Sequence, residues 1–173
     1  MQRCSWVTSD EIYIEYHDTE WGSPITGDDA MFERMSLEGF QAGLSWLTIL
    51  KRREGFREAF HGFEIAKVAK MTNHDVERLL QNEGIIRHRG KIEAVINNAK
   101  RAQELEGGIE AFVRSFTPTV DRRNLTKSPE SEELSKALRK LGFNFVGPTT
   151  MHALMQAIGM VEDHSDGCFR RRG

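Results

Sequence analysis

One carboxylate and five amphipathic aromatic residues within the first 46 positions carry the most distinctive chemistry in the sequence. Glu38 lies in the segment LEGFQAGLSW, between Leu37 and Gly39. The aromatic residues are Trp6, Tyr13, Tyr16, Trp21 and Trp46, and no Trp or Tyr follows position 46. A carboxylate beside aromatic walls attracts a flat cationic ligand through its charge and through cation–π contacts. The alternative is that the rings are separate core anchors and that Glu38 faces water.

The two cysteines each occur near a histidine at one end of the chain. Cys4 precedes His17, and His164 precedes Cys168 by four positions in the segment DHSDGC. Thiolates and imidazoles are zinc ligands, and a structural zinc takes four ligands. These residues would complete a Cys₂His₂ site that joins the termini, and a metal with four filled positions would be structural. The pattern leaves open two unrelated thiols and two surface histidines.

A glycine-flanked turn near the C terminus and a basic segment in the middle of the chain suggest contacts with a nucleic-acid backbone. The turn FNFV lies between Gly142 and Gly147 and joins two predicted helices. Such a turn can expose backbone N–H groups at a helix N terminus, where the helix dipole favours a phosphate. The segment EGIIRHRGK adds Arg87, Arg89 and Lys91. An ordinary helical hairpin and a solvated basic face are the alternatives.

The elements that must position these groups are helices. Apolar residues recur at helical spacing in most of the chain, and no convincing strand pattern occurs apart from the short ambiguous run IYIEY. We expect Asp28 or Asp29 to cap one helix and Asn73 to cap another. The segment 116–131 is polar and contains two prolines, so it is predicted to be a surface loop. The sequence therefore predicts an all-α single domain over residues 1–173, built as two closely packed helical lobes.

Composition and hydropathy exclude several classes of protein. The formal net charge is −2, so no overall positive field indicates a nucleic-acid partner, although one basic face would suffice. No apolar run approaches the roughly 20 residues that span a bilayer, and no signal-peptide core is present. We therefore expect a cytoplasmic protein without a membrane partner, whose 2 cysteines form no structural disulfide.

Six segments make the chain resemble the 3-methyladenine DNA glycosylase I family of bacterial base-excision repair enzymes. These segments are RCSWV, YIEYHDTEWG, LEGFQAGLSW, GIIRHRGKI, SKALRKLGFNFVG and DHSDGC. The resemblance covers essentially the whole chain. It implies a helix-hairpin-helix fold and hydrolysis of the N-glycosidic bond of 3-methyladenine in alkylated double-stranded DNA, with release of the free base and an abasic site. The loop 116–131 looks shorter than in the family, and the tail after Cys168 is brief and basic.

The resemblance also implies a role for individual residues. The catalytic positions are Glu38 and Tyr16. The base-binding positions are Trp46, Trp6, Tyr13 and Trp21. The segment that enters the gap left by the extruded nucleotide contains Gly43 and Leu44. Contacts with the DNA backbone are expected from Gly142, Phe145, Gly147, Arg87 and Arg89. The ligands of one structural Zn²⁺ are Cys4, His17, His164 and Cys168.

Such a site is expected to hydrolyse the N-glycosidic bond without lyase activity. The enzyme is expected to act as a monomer. A lyase needs an amine nucleophile in the pocket, and the first lysine of the chain is Lys51, after the aromatic and Glu38 segments. Other enzymes with this fold place an aspartate after the second hairpin helix. Glu162 and Asp163 occupy that stretch here, and neither is assigned a role.

Two rival functions differ from this interpretation in testable ways. A non-catalytic zinc-stapled module that recognises damaged DNA would keep the zinc ligands and the hairpin but would not need Glu38. A zinc hydrolase of another substrate would need an open metal position, which four protein ligands do not leave. Chelation distinguishes these functions, because loss of a structural zinc would unfold the protein whereas loss of a catalytic zinc would abolish activity alone.

Overall fold

The computed structural model describes residues 1–173 as ten α-helices and one short 3₁₀ helix, His61–Phe63, without strands. The α-helices are α1 Glu11–Thr19, α2 Asp28–Gln41, α3 Trp46–Lys51, α4 Arg53–Ala59, α5 Ile65–Val68, α6 Asn73–Leu79, α7 Arg89–Gln103, α8 Gly108–Arg114, α9 Pro129–Lys140 and α10 Pro148–Ala157. The predicted all-α class is confirmed, and the ambiguous run IYIEY lies inside α1. None of the helices has the length and apolar character needed to cross a membrane.

Helix α2 lies at the centre of the fold. Its residues from Arg34 to Phe40 are all buried, and it packs against α3, α7, α8 and α10. Phe40 stacks obliquely on Phe56 of α4, with ring centroids 4.5 Å apart. Because α2 is enclosed by other helices, polar side chains on it must find partners within the protein or face a site.

The expected caps of α2 and α6 are wrong by one residue or more. Gly27 is the N-cap of α2, because the side chains of Asp28 and Asp29 accept hydrogen bonds from the backbone N–H groups of Glu110 and Ile65. Thr72, not Asn73, caps α6 in a reciprocal arrangement with the Asp75 side chain. In α2, long-range contacts therefore replaced the local role predicted for the aspartates.

The predicted hairpin near the C terminus forms between α9 and α10, which pack against each other. Ser128 caps α9, which begins at Pro129, so the loop expected over 116–131 ends earlier than predicted. Gly142 closes α9 with a φ of +89°, a conformation that favours glycine. Gly147 is the N-cap of α10, and Pro148 is its first residue, as predicted.

Candidate active site and cysteine–histidine cluster

Glu38 is a buried carboxylate on the C-terminal part of α2. Only 6% of the residue is exposed, and its carboxylate oxygens make no hydrogen bond within the protein. Burial raises the pKa of Glu38 to about 8, although the nearby Arg34 guanidinium acts in the opposite direction. A cation or a hydrogen-bond donor that reaches this carboxyl group would stabilise its ionised form, because burial has removed the water that would otherwise solvate it.

The Tyr16 ring lies near this carboxylate, and the Trp46 ring lies beside Tyr16. Tyr16 is buried on α1, and its ring centroid lies 5.5 Å from that of Trp46, the first residue of α3. Burial, together with the negative charge of Glu38, raises the pKa of Tyr16, so its phenol stays neutral. The indole Nε1 of Trp46 is buried without a hydrogen-bond partner. Two aromatic rings and an unpaired carboxylate thus lie in one region of the protein, with the unpaired indole N–H of Trp46 enclosed by the protein.

Arg34 is a site residue that sequence reasoning missed. Its guanidinium carbon lies 6.0 Å from the centre of the Tyr16 ring, and its Nη2 donates to Glu20 Oε2 at 2.7 Å. Arg34 and Glu38 are four positions apart on α2, a spacing that places them on one helix face. This i, i+4 spacing is the sequence signal that could have identified Arg34 as a neighbour of Glu38.

The site is distinguished by its chemistry and not by its size. A surface groove beside α7 is lined by residues between Ala69 and Lys100, and neither Tyr16, Glu38 nor Trp46 is among them. A planar cation is the ligand that the site suits, because it can stack on an indole or phenol face and compensate a desolvated carboxylate.

The other three aromatic residues of the N-terminal segment form a separate cluster. The Trp6 ring centroid lies 5.1 Å from those of both Tyr13 and Trp21, and 5.3 Å from that of His17. Trp21 also packs edge-on against His164 at 4.7 Å. These rings therefore surround the histidines and have no ring contact with Trp46. The contact with a base implied for them by the resemblance stays a prediction.

Three of the four predicted zinc ligands, Cys4, His17 and Cys168, form one group, and the His164 ring packs beside it. Ligand atoms of Cys4, His17 and Cys168 all lie within 4.8 Å of one another. Nε2 of His17 is 3.4 Å from Sγ of Cys168, and the ring centroids of His17 and His164 are 5.6 Å apart. The cluster is buried, and it joins α1 to the C-terminal segment.

The polar environment of this cluster fits a metal ion. Nε2 of His164 is buried without a partner, while its Nδ1 contacts Glu162 Oε1 at 2.6 Å. Nδ1 of His17 contacts Asp18 Oδ1 at 2.8 Å in the same manner. Carboxylates on the far nitrogens orient metal-bound imidazoles, and two thiolates with two imidazoles form a structural zinc donor set. These residues could therefore hold one Zn²⁺.

The substitution Gly22→Ala tests how tightly this cluster is packed. Gly22 has a φ of +78°, and a Cβ added there would lie 2.5 Å from Cε1 of His164. We expect a loss of about 2 kcal/mol or more in the free energy of unfolding, measured by denaturant titration. Gly62→Ala is the matched control, because its φ is +65° and no atom lies within 4 Å of the added Cβ. Equal losses in the two variants would show that contact with His164 contributes nothing.

The segment after α2 forms an exposed turn that includes the predicted Gly43 and Leu44. Leu44 N donates to Gln41 O at 2.7 Å, Ala42 has φ −49° and ψ 117°, and Gly43 has φ +79°. These angles match a type II turn, which favours glycine at its third position. Leu44 is 39% exposed at this turn, so an apolar side chain projects from the protein surface.

The hairpin turn is held by asparagines of α7, which the sequence analysis did not single out. Asn98 donates to Asn144 O and accepts from Asn144 N, both at 2.9 Å, and Asn97 donates to Gly142 O at 2.7 Å. Phe145 follows with a φ of +56° and is 39% exposed. The turn is therefore rigidly attached to α7 and carries an exposed aromatic ring.

The basic residues around the start of α7 lie in different environments. Arg87 is exposed and has no ion pair. Arg89 pairs with Glu77 at 2.7 Å, and Lys91 is buried with 6% exposure. The alternative of one solvated basic face is therefore wrong for Lys91. The DNA contacts expected of Arg87 and Arg89 stay predictions.

Glu162 and Asp163, left unassigned by the sequence, contact the surrounding structure. Glu162 contacts His164, and Asp163 accepts hydrogen bonds from Asn124 N at 2.9 Å and from Gln156 Nε2 at 2.5 Å. Both carboxylates are thus engaged in holding the C-terminal segment.

Comparison with known proteins places this site in a family. The methyladenine glycosylase family model matches residues 6–171. The chain belongs to the methyladenine glycosylase family. It is 50% identical to the DNA-3-methyladenine glycosylase 1 of Escherichia coli strain K12, in an alignment that covers 97% of this chain and 96% of that protein. The resemblance inferred from the six sequence segments is confirmed.

Solved structures of methyladenine glycosylases share the fold. A crystal structure of a 3-methyladenine DNA glycosylase I has a TM-score of 0.94 and 48% identity, covering 99% of this chain and 100% of that chain. A structure of the Staphylococcus aureus 3-methyladenine DNA glycosylase I, which describes its recognition of 3-methyladenine, has a TM-score of 0.92 and 36% identity. It covers 100% of this chain and 98% of that chain. The helical architecture is therefore that of the methyladenine glycosylases.

Proposed function

We propose that this methyladenine glycosylase removes 3-methyladenine from alkylated double-stranded DNA by holding the extruded base between Glu38, Tyr16 and Trp46. The enzyme class expected from the sequence is confirmed by its family and by relatives named DNA-3-methyladenine glycosylases. The buried, unpaired carboxylate of Glu38 beside aromatic rings is the observation that carries the assignment of the pocket.

Charge explains how such a pocket both selects and activates the damaged base. Methylation at N3 makes the adenine ring cationic and weakens its bond to the sugar, so the enzyme need not protonate the leaving group. Glu38 accepts hydrogen bonds from the exocyclic amino edge of the base and compensates its positive charge. Because unmethylated adenine is neutral, it gains less from this desolvated carboxylate.

Stacking and hydrogen bonding complete the hold on the base. Trp46 provides a ring face, and stacking of a base on an aromatic side chain contributes about 1–3 kcal/mol. The neutral Tyr16 hydroxyl donates or accepts a hydrogen bond beside Glu38. Extrusion of a nucleotide costs a few kcal/mol and is least costly for a damaged base, so these contacts offset it.

The two exposed turns engage the DNA. Leu44, at the turn that follows α2, enters the gap left by the extruded nucleotide, with Gly43 allowing the turn to form. The hairpin of α9 and α10 binds the phosphate backbone in the helix-hairpin-helix manner, through Gly142, Phe145 and Gly147 at the N-terminal end of α10. The rigid attachment of this turn to α7 supports the assignment.

A structural Zn²⁺ would be held by Cys4, His17, His164 and Cys168. When bound, it would supply no step of the reaction, because four protein ligands fill its coordination. It would fix α1, which carries Tyr16, to the C-terminal segment. We further propose that the enzyme is a cytoplasmic monomer, because one chain supplies every residue of the pocket and of the cluster.

The experiment that tests the activity measures release of free 3-methyladenine from methylated duplex DNA by the purified protein. Release followed by accumulation of intact abasic sites is expected, because the pocket contains no lysine that could cleave the strand. Strand cleavage at these sites would contradict the hydrolase assignment. Binding of the methylated duplex without release would favour a non-catalytic recognition module.

Affinity for DNA is expected to fall steeply with salt, because lysines and arginines near the turns displace counterions from phosphates. Arg87→Ala is expected to lower the slope of log K against log salt by about 1, since Arg87 is exposed and unpaired. Arg89→Ala is the comparison, and it should change the slope less because Arg89 already pairs with Glu77. Fluorescence anisotropy over a salt series measures both slopes, and an unchanged slope for Arg87→Ala would remove that residue from the interface.

A further inference from the structure

Lys91 of α7 is a buried lysine without a carboxylate partner. Its exposure is 6%, and burial lowers its pKa. Its ammonium donates instead to two backbone carbonyls at the end of α2, Phe40 O at 2.9 Å and Ala42 O at 2.5 Å. A cation at a helix C terminus is favoured by the helix dipole and by the carbonyls that lack helical partners. Lys91 therefore stabilises the C-terminal end of α2, which lies between Glu38 and the exposed turn.

The orientation of one of these two carbonyls, Ala42 O, depends on the type of turn that follows α2. Ala42 O belongs to the peptide between Ala42 and Gly43, which is the central peptide of the type II turn Gln41–Leu44. A type I turn has the same end-to-end hydrogen bond, but its central peptide plane is rotated by more than a right angle. The hydrogen bond from Lys91 therefore holds the type II orientation of that peptide.

Because Lys91 binds the carbonyls of both Phe40 and Ala42, it anchors the turn that carries Leu44 to α7. The same helix also fixes the hairpin turn through Asn97 and Asn98. Helix α7 thus binds the backbone of both exposed turns by side-chain hydrogen bonds. The spacing and orientation of the two turns are consequently set by one rigid element.

We propose that Lys91 is a positioning residue for base extrusion, which holds the Gln41–Leu44 turn in the type II form that inserts Leu44 into the duplex. This inference rests on the proposed function, because it assigns Lys91 to the step that precedes capture of the base by Glu38. Lys91 itself contacts neither the base nor the sugar. Its removal affects extrusion and leaves the base pocket intact.

The test compares excision from duplex DNA with binding of the free base. Lys91→Met is expected to lower the single-turnover rate of 3-methyladenine release from methylated duplex about 10-fold or more. Its affinity for free 3-methyladenine, followed by tryptophan fluorescence, should stay within about twofold of wild type. Lys67→Met is the matched control on an exposed lysine, and it should change neither quantity. Lys91→Met with unchanged duplex release, or with equal losses in release and in free-base affinity, would overturn the proposal.

A second variant keeps the test decisive if Lys91→Met does not fold. Gly43→Ala alters the turn directly at a φ of +79°, and no atom lies within 4 Å of the added Cβ, so the fold is expected to tolerate it. It should also lower duplex release about 10-fold with free-base affinity retained, because a side chain disfavours the type II turn. Where both single variants fold, their losses should not multiply in the double variant, since both act on one turn. Wild-type release from Gly43→Ala would contradict the proposal, whereas no release by the wild-type protein would instead refute the proposed activity.

Discussion

Glu38→Gln is expected to lower kcat/KM for 3-methyladenine release from methylated duplex by about 100-fold or more while leaving the protein folded. The amide keeps the shape of the side chain but removes the charge that compensates the cationic base, and loss of one aligned electrostatic contact costs this much in comparable sites. Single-turnover release of the free base measures the effect. Glu58→Gln, on an exposed glutamate of α4, is the matched control and should behave as wild type.

The pH dependence of the wild-type enzyme provides a second readout of the same residue. The free enzyme must lose the Glu38 proton to bind a cation, and the pKa of this group is raised to about 8 by burial. We therefore expect kcat/KM to rise with pH and to level off above about pH 8, and we expect this rise to be absent in Glu38→Gln. A flat wild-type profile between pH 6 and pH 9 would remove Glu38 from the centre of the pocket.

The same pKa predicts that Glu38→Gln is more stable than wild type at high pH. The folded protein favours protonated Glu38, whereas the unfolded chain ionises near the ordinary value of 4.5. Wild-type stability therefore falls as the pH rises from about 4.5 to about 8, and the glutamine variant avoids that loss. The gap in unfolding free energy should reach up to about 5 kcal/mol above pH 8 and should be smallest below pH 4.5. An inactive variant that is more stable than wild type shows that the lost activity is not a folding defect.

His164→Ala is expected to abolish stoichiometric zinc and to lower the free energy of unfolding by at least about 3 kcal/mol. The imidazole Nε2 is buried and unpaired beside the cysteine–histidine cluster, so the variant would lose one of the four proposed metal ligands at the join between the two ends of the chain. Metal that binds only the folded state stabilises it by its binding free energy. Metal analysis and thermal unfolding with and without a chelator measure both quantities.

The control for the metal prediction is His74→Ala, at an exposed histidine of α6. It should retain zinc and wild-type stability. A chelator should lower the unfolding temperature of the wild-type protein and lower activity only as the protein unfolds. Chelated protein that remains fully folded yet inactive would contradict a structural role and would favour a catalytic metal. Wild-type protein that contains no metal would refute the zinc site altogether.

The helical class and the main helices could be predicted from the sequence, because apolar periodicity is a local property of the chain. The hairpin helices were predicted at Gly142, Gly147 and Pro148, where turn and helix-start chemistry is encoded in the residues themselves. The caps at Asp28 and Asn73 were not, because the Asp28 side chain accepts from Glu110 N far along the chain and because Thr72, one residue before Asn73, caps α6.

In the candidate site too, some features could be predicted from the sequence and others depend on the fold. The sequence by itself identified the carboxylate, the aromatic residues and the two cysteine–histidine pairs, whose types suit a cationic ligand and a thiolate–imidazole metal site. It left open that the rings are separate core anchors and that the thiols and histidines are unrelated. Family resemblance added the particular base. Only the tertiary structure decided that Trp46 stands beside Tyr16 while Trp6 and Trp21 surround the histidines. It alone decided that Lys91 binds carbonyls inside the protein, because burial and hydrogen-bond partners depend on which helices pack together.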